Sequence, residues 1–298
     1  MNTPHSRRNF LGAGSVALAA VALAPNRLMA AGKRPLKKGI MFGTVGEFGS
    51  VAERFQAITA AGFDGGEANS HMNQDEVLRA RDAAGLEIPS VCCSTHWGKP
   101  VSSPDAAVRA AGLEGLKQSL RDAKRYGATS VLFVPGVVDE QVSYADAYAR
   151  SQAALREALP LAEELRVKIA IENVWNHFLL SPLEAARYVD ECNSPWVGFH
   201  FDTVNIMNYG WPEQWIRILN RRIIKVHLKE FSRKKRNDLG LWKGFDVEFL
   251  KGDNNWPAIM KALDEIGYKD WVISEQGGAD TPDGLRKLAS EIDRILEA

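Results

Sequence analysis

The feature that most limits how this chain can fold is an alternation. From Lys38 onward, short runs rich in β-branched and aromatic residues trade places with longer stretches of helical periodicity, and this happens eight times. The β-rich runs fall at residues 39–43, 63–68, 88–93, 130–134, 168–172, 197–202, 223–228 and 271–275. The helical stretches fall at 51–61, 75–84, 106–126, 144–165, 182–191, 211–219, 256–266 and 283–296. Within 106–126, Leu113, Leu116 and Leu120 recur three to four residues apart, which places them on one helix face. Gly62, Gly85 and Gly127 stand where helices stop. Strands separated by helices pair in parallel. Eight strand–helix units in roughly 250 residues close a barrel more readily than they form an open sheet. The open alternative is weakened further because the first strand-to-helix turn has no G-x-G-x-x-G phosphate loop. The expected architecture is therefore α/β, a single (β/α)8 barrel over residues 35–298.

Charge is balanced, with 37 Lys+Arg against 37 Asp+Glu, so no net field draws the chain to nucleic acid or an anionic membrane. Of the three cysteines, Cys92 and Cys93 are adjacent and Cys192 stands apart. They are read as small buried hydrophobes, with neither a disulfide framework nor a C-x-x-C zinc pattern. Residues 1–31 read as an export signal. Ser6-Arg7-Arg8-Asn9-Phe10-Leu11 precedes an apolar run too short to span a bilayer, and Ala30-Ala31 offers small residues for cleavage. The order S-R-R-x-F-L resembles a bacterial twin-arginine signal, which implies a periplasmic or otherwise exported protein with no membrane span in its mature form.

Active sites of parallel barrels lie at the C-terminal ends of the strands. Here those ends carry Glu67, then Ser94-Thr95-His96-Trp97, Glu172-Asn173, His200-Phe201-Asp202, His227-Leu228-Lys229-Glu230 and Glu275-Gln276. Side chains alternate faces along a strand. Glu172 shares Ala170's face, Asp202 shares that of His200, and His227 lies between Lys225 and Lys229 on one face. Four strands thus aim Glu172, Asp202, His227 and Glu275 at one point. Three carboxylates and an imidazole suit a divalent ion such as Mn²⁺, Mg²⁺, Co²⁺ or Zn²⁺. Further candidates for contact with a ligand are Glu67, His96, Trp97, Trp175, Asn205 and Lys229. Glu67 can alternatively orient a metal ligand, and Lys229 can pair with a rim acid. The basic run Arg233-Lys234-Lys235-Arg236 is read as a solvated loop.

The motifs Ile171-Glu172-Asn173, Phe201-Asp202-Thr203, Val226-His227-Leu228-Lys229 and Ile273-Ser274-Glu275 resemble those of the xylose isomerase-like barrels. The stretch from Phe245 to Asp253, followed by Asn255-Trp256-Pro257, is similar to the family's segment before its last strand. This resemblance implies that Glu172, Asp202, His227 and Glu275 are the metal ligands. It also implies that Glu172 and Glu275 flank the substrate as base and acid. Asn205 stands where many family epimerases carry a His, and in this it is more similar to the xylulose-phosphate epimerase branch.

The reading that follows is a divalent-metal-dependent sugar isomerase or epimerase. It would move a proton next to a carbonyl through a metal-stabilised enediolate on a small-molecule carbohydrate, in a protein free to form a homo-oligomer. A lyase or hydratase acting on a 3-keto-glycoside would use the same rim. A nuclease like endonuclease IV fits less well, given zero net charge and only six histidines, and a non-catalytic sugar-binding barrel is least favoured.

Overall fold

The computed structural model describes residues 34–298, so the expected export signal at 1–31 lies outside the described residues. Eight parallel strands close a barrel in sequence order, with the first hydrogen-bonded to the eighth. They are β1 (Lys37–Met41), β2 (Gly65–Asn69), β3 (Ser90–Cys92), β4 (Ser130–Phe133), β5 (Lys168–Glu172), β6 (Val197–Asp202), β7 (Ile223–Leu228) and β8 (Trp271–Ser274). The outer helices are α1 (Val51–Ala60), α2 (Gln74–Ala84), α3 (Ala106–Tyr126), α4 (Tyr144–Leu165), α5 (Pro182–Asp190), α6 (Pro212–Leu219), α8 (Trp256–Glu265) and α9 (Pro282–Leu296). A short α7 (Arg233–Leu239) interrupts the passage from β7 to α8.

Helix starts are set by side chains that accept from the first free backbone amides. Ser50, Asn73, Asp105, Ser143, Ser181, Asn255 and Thr281 each cap in this way. Gly85 and Gly127 end α2 and α3 in the left-handed conformation, at φ 62° and 80°.

Two zones of packing follow from strand alternation. Outward-facing Val91, Val131, Ile169, Ile171, Phe199, Phe201, Val226, Leu228 and Val272 join the helices in one hydrophobic core. The barrel interior is far more polar than the branched aliphatic filling usual in this architecture. Ser90, Ser130, Glu67, His200, Lys225 and His227 are all essentially without solvent exposure. Lys225 closes the lower end, its ammonium 3.1 Å from Thr129 Oγ1 and 3.2 Å from Asp270 Oδ2.

Residues 233–239 correct the sequence reading, because the expected solvated loop is helical. Ser232 caps it by accepting from the Lys235 amide. Arg233 donates to Gly210 O at 2.9 Å, and Arg236 donates to Asn208 O at 2.8 Å. The basic run therefore fastens this excursion to the loop after β6. No helix among the described residues is long and apolar enough to cross a membrane.

Candidate metal centre and active site

Strand register brings the expected residues together. Glu172 lies opposite His200 on β6, and Asp202 lies opposite His227 on β7. Glu275 follows the last residue of β8 and continues the ladder by donating its amide to Leu228 O at 3.0 Å. Glu172, Asp202, His227 and Glu275 each offer one ligand atom, and these atoms all lie within 4.8 Å of one another.

His227 is the hub. Its Nδ1 is 3.2 Å from Glu172 Oε1 and 2.8 Å from Glu275 Oε2. On the other edge, Nε2 lies 2.9 Å from Glu67 Oε2, while Ser90 Oγ donates to Glu67 Oε1. With a cation in the cluster, His227 would keep its proton on Nε2, given to Glu67, and turn the Nδ1 lone pair inward, which is the tautomer a metal ligand needs. Asp202 is fixed by the backbone amides of Val204 and Asn205, both 2.7 Å from Oδ1. Asn173 braces the same strand end, accepting from the Asp202 amide and donating to its carbonyl, both at 2.9 Å.

The charges show what the cluster attracts. Burial pushes the Glu172 carboxyl upward and the Glu275 charge adds to this, against the hydrogen bond from His227. Burial opposes ionisation of Glu275 too, but the Lys229 ammonium and His227 outweigh it and hold that carboxyl low. Burial likewise disfavours charge on His227, yet Glu67, Glu172 and Glu275 raise its pKa well above that of free imidazole. Lys229 is drawn the same way, 3.1 Å from Asp202 Oδ2 and 2.8 Å from Glu275 Oε2. Nevertheless Asp202 Oδ2 and Glu275 Oε2 are buried without a well-directed hydrogen bond. One Nδ1 also cannot serve two carboxylates equally. Both observations fit a divalent cation among these four side chains, and the oxygen-rich donor set fits a hard or borderline one.

Above the cluster opens a cavity of about 650 Å³. Glu172, His227, Lys229 and Glu275 contribute to its lining, together with His96, Trp97, Trp175 and Asn205. His96 is buried, which pushes its pKa down to about 4 and keeps the ring neutral. Trp97 packs edge-on against it with ring centroids 5.5 Å apart. Trp175 donates to Asn205 O at 2.7 Å, and Asn205 Nδ2 donates to Asn173 O at 2.9 Å.

Glu67 is placed differently from a substrate contact. It has no exposed surface, stands behind His227 and has both oxygens engaged, so it positions the imidazole instead. His200 lies deeper still, its ring centroid 4.1 Å from that of His227 and its two nitrogens without hydrogen bonds. Burial first, and the neighbouring cations next, hold it neutral. Trp242 and Phe245 also line the cavity, and the sequence reading did not single them out. The available signal was a cluster of aromatics in the long excursion after β7, without the period of either a helix or a strand.

A closed parallel barrel whose strand ends converge on three carboxylates and an imidazole defines a narrow class. The chain belongs to the xylose isomerase-like TIM barrel family, whose model matches residues 55–295. It is 24% identical over 257 residues to the L-ribulose-5-phosphate 3-epimerase UlaE of Escherichia coli K12, covering 82% of this chain and 88% of that protein. Among solved structures it is similar to a D-tagatose 3-epimerase-like protein, with a TM-score of 0.73, 21% identity and coverage of 88% and 97% of the two chains. It is also similar to the 3-keto-D-glucoside 4-epimerase YcjR of E. coli, with a TM-score of 0.71, 17% identity and coverage of 87% and 98%. At these identities the structural likenesses establish the fold.

Proposed function

We propose that this protein is a divalent-metal-dependent sugar epimerase or isomerase that moves a proton on a carbon next to a carbonyl. The observation carrying this reading is the facing pair Glu172 and Glu275. They enter from β5 and from the end of β8, with two strands between them around the barrel, and meet at the floor of one cavity. One carboxylate can take a proton from one face of a sugar carbon while the other returns a proton to the opposite face, which inverts that carbon. Glu172, Asp202, His227 and Glu275 would hold the cation, which when bound supplies positive charge beside the sugar oxygens. Lys229 offsets the negative charge of Asp202 and Glu275 from the side. His96 and Asn205 offer polar atoms to hydroxyl groups, while Trp97 and Trp175 keep water from the reacting carbon. Two of the relatives named above are epimerases by name and the third is epimerase-like, which favours inversion over lyase or hydratase chemistry.

The test is solvent exchange. In D₂O, Mn²⁺-loaded protein is expected to place deuterium on the carbon next to the carbonyl of a ketose and to generate its epimer, both read by NMR. Chelator treatment is expected to abolish both. Exchange unaffected by a chelator, or loss of an aglycone without an epimer, would count against the reading. We also propose that residues 1–31 direct export. The support is Arg7-Arg8 ahead of a short apolar run, together with a cargo suited to loading with metal before transport. Replacing both arginines by lysine is expected to retain the full-length chain in the cytoplasm on fractionation, and unchanged export would refute it.

A further inference from the structure

The cavity carries more than a single sugar needs, and it lacks a free cationic side chain for the phosphate of a sugar phosphate. Among the described residues that line it, Lys229 is the only lysine or arginine, and its ammonium lies between Asp202 and Glu275. His96 is neutral. A phosphate dianion entering here would face the Glu172 and Glu275 carboxylates without a free guanidinium or ammonium to receive it. The hollow on the far side of Phe245 holds Lys235 and Lys251, but it also holds Asp246 and Glu248, so it supplies no net positive charge.

The outer half of the cavity is aromatic. Trp97 comes from the loop after β3, Trp175 from the loop after β5, and Trp242 and Phe245 from the excursion after β7, so three separate loops bring rings to one mouth. Trp175 packs on Trp242 and Phe245 with centroids 4.6 and 4.9 Å away. This packing holds Trp242 in place while leaving it 70% exposed, and Trp97 is 53% exposed. Large aromatic faces left in water beside a polar reaction floor form a binding surface, because a flat apolar ring covers the C–H face of a sugar and both surfaces leave water together. A cavity of about 650 Å³ lies within the roughly 300–1,000 Å³ that encloses drug-sized ligands, which are larger than one sugar ring.

We infer that the substrate is an uncharged keto-sugar of two rings. The ring bearing the carbonyl sits on the floor among Glu172, His227 and Glu275, and the second ring lies in an outer subsite formed by Trp97, Trp175 and Trp242. This inference rests on the epimerase reading for the identity of the inner ring, while the outer subsite is tested without turnover.

Binding to Mn²⁺-loaded full-length protein is measured by calorimetry with two matched sets. One set compares D-fructose with the ketose disaccharide lactulose, and methyl 3-keto-glucoside with 3-keto-trehalose. The other compares L-ribulose with its 5-phosphate. Two-ring sugars are expected to bind at least tenfold tighter than their one-ring counterparts, and the phosphate no tighter than the free ketose. Trp242→Ala and Trp97→Ala are each expected to shrink the two-ring advantage at least threefold, with circular dichroism and melting used to verify the fold of these surface truncations. Equal affinity for one and two rings, tighter binding of the phosphate, or a two-ring advantage that survives both substitutions would overturn the inference. Deuterium exchange is measured on the same sugars. Its absence from all of them would defeat the epimerase reading, and the calorimetric ratios would still decide the subsite.

Discussion

Glu67 acts through another side chain. It touches His227 Nε2 and Ser90 but does not line the cavity. Carboxylates behind ligating histidines are usually worth about 10–100-fold in metal affinity. Glu67→Gln is therefore expected to weaken Mn²⁺ binding by about that factor in calorimetry while the fold is retained, and an unchanged affinity would show that Glu67 does not orient the ligand. Glu172→Gln and Glu275→Gln should each cost about 10²–10⁴ in the exchange rate, the usual yield of a positioned acid or base. The four converging side chains were legible in the sequence because strand parity fixes the face and strand ends fix the height. The choice between the two roles of Glu67, substrate contact or orienter of a metal ligand, was not. It depends on the register that pairs Met41 with Glu67 and on a contact across the barrel with β7, and neither leaves a local pattern. His200 was legible as a neighbour beneath Asp202, since the two are separated by one residue on the same face.

The two longest helices have the bounds expected from the sequence, while most other elements differ by one or two residues. Gly127 ends α3 and Ser143 starts α4, so both helices have the expected bounds. β3 is shorter than expected because Pro89 has no amide to donate, and the strand begins only at Ser90. The helix at 233–239 was missed because it buries none of its residues and so has no apolar stripe to reveal it. One helix carries a constraint that propensity alone would get wrong. Alanine normally favours a helix over glycine by about 0.8–1.0 kcal/mol. At Gly112 in α3, however, an added Cβ would lie 2.1 Å from the Lys99 backbone oxygen, in the loop that presents His96 and Trp97. Overpacking against backbone costs about 1–3 kcal/mol and wins. Gly112→Ala is expected to lower the melting temperature by about 2–4 °C and to weaken sugar binding through Trp97. A rise in melting temperature would show that the loop yields.

Closure of the barrel was the easiest feature to anticipate, since eight parallel strands with helices outside leave few other arrangements, and β1 does pair with β8. What the sequence concealed at this scale is the shape of the cavity, because its mouth is assembled from loops whose meeting depends on the finished fold. Trp175, Trp242 and Phe245 are far apart in sequence and in contact in space. A cation that binds the folded cluster and not the unfolded chain must stabilise the whole molecule. At a hundredfold excess over its dissociation constant the gain is about 2.7 kcal/mol, which for a chain of this size raises the melting temperature by about 5 °C. Differential scanning calorimetry with and without Mn²⁺ checks this, and a chelator should reverse it. The proposed chemistry requires that four strand ends make one metal centre. Anomalous X-ray scattering from crystals grown with Mn²⁺ tests it most directly. One strong peak is expected within ligand distance of Glu172, Asp202, His227 Nδ1 and Glu275. No peak there, or one instead among Glu67, His200 and His227, would contradict it.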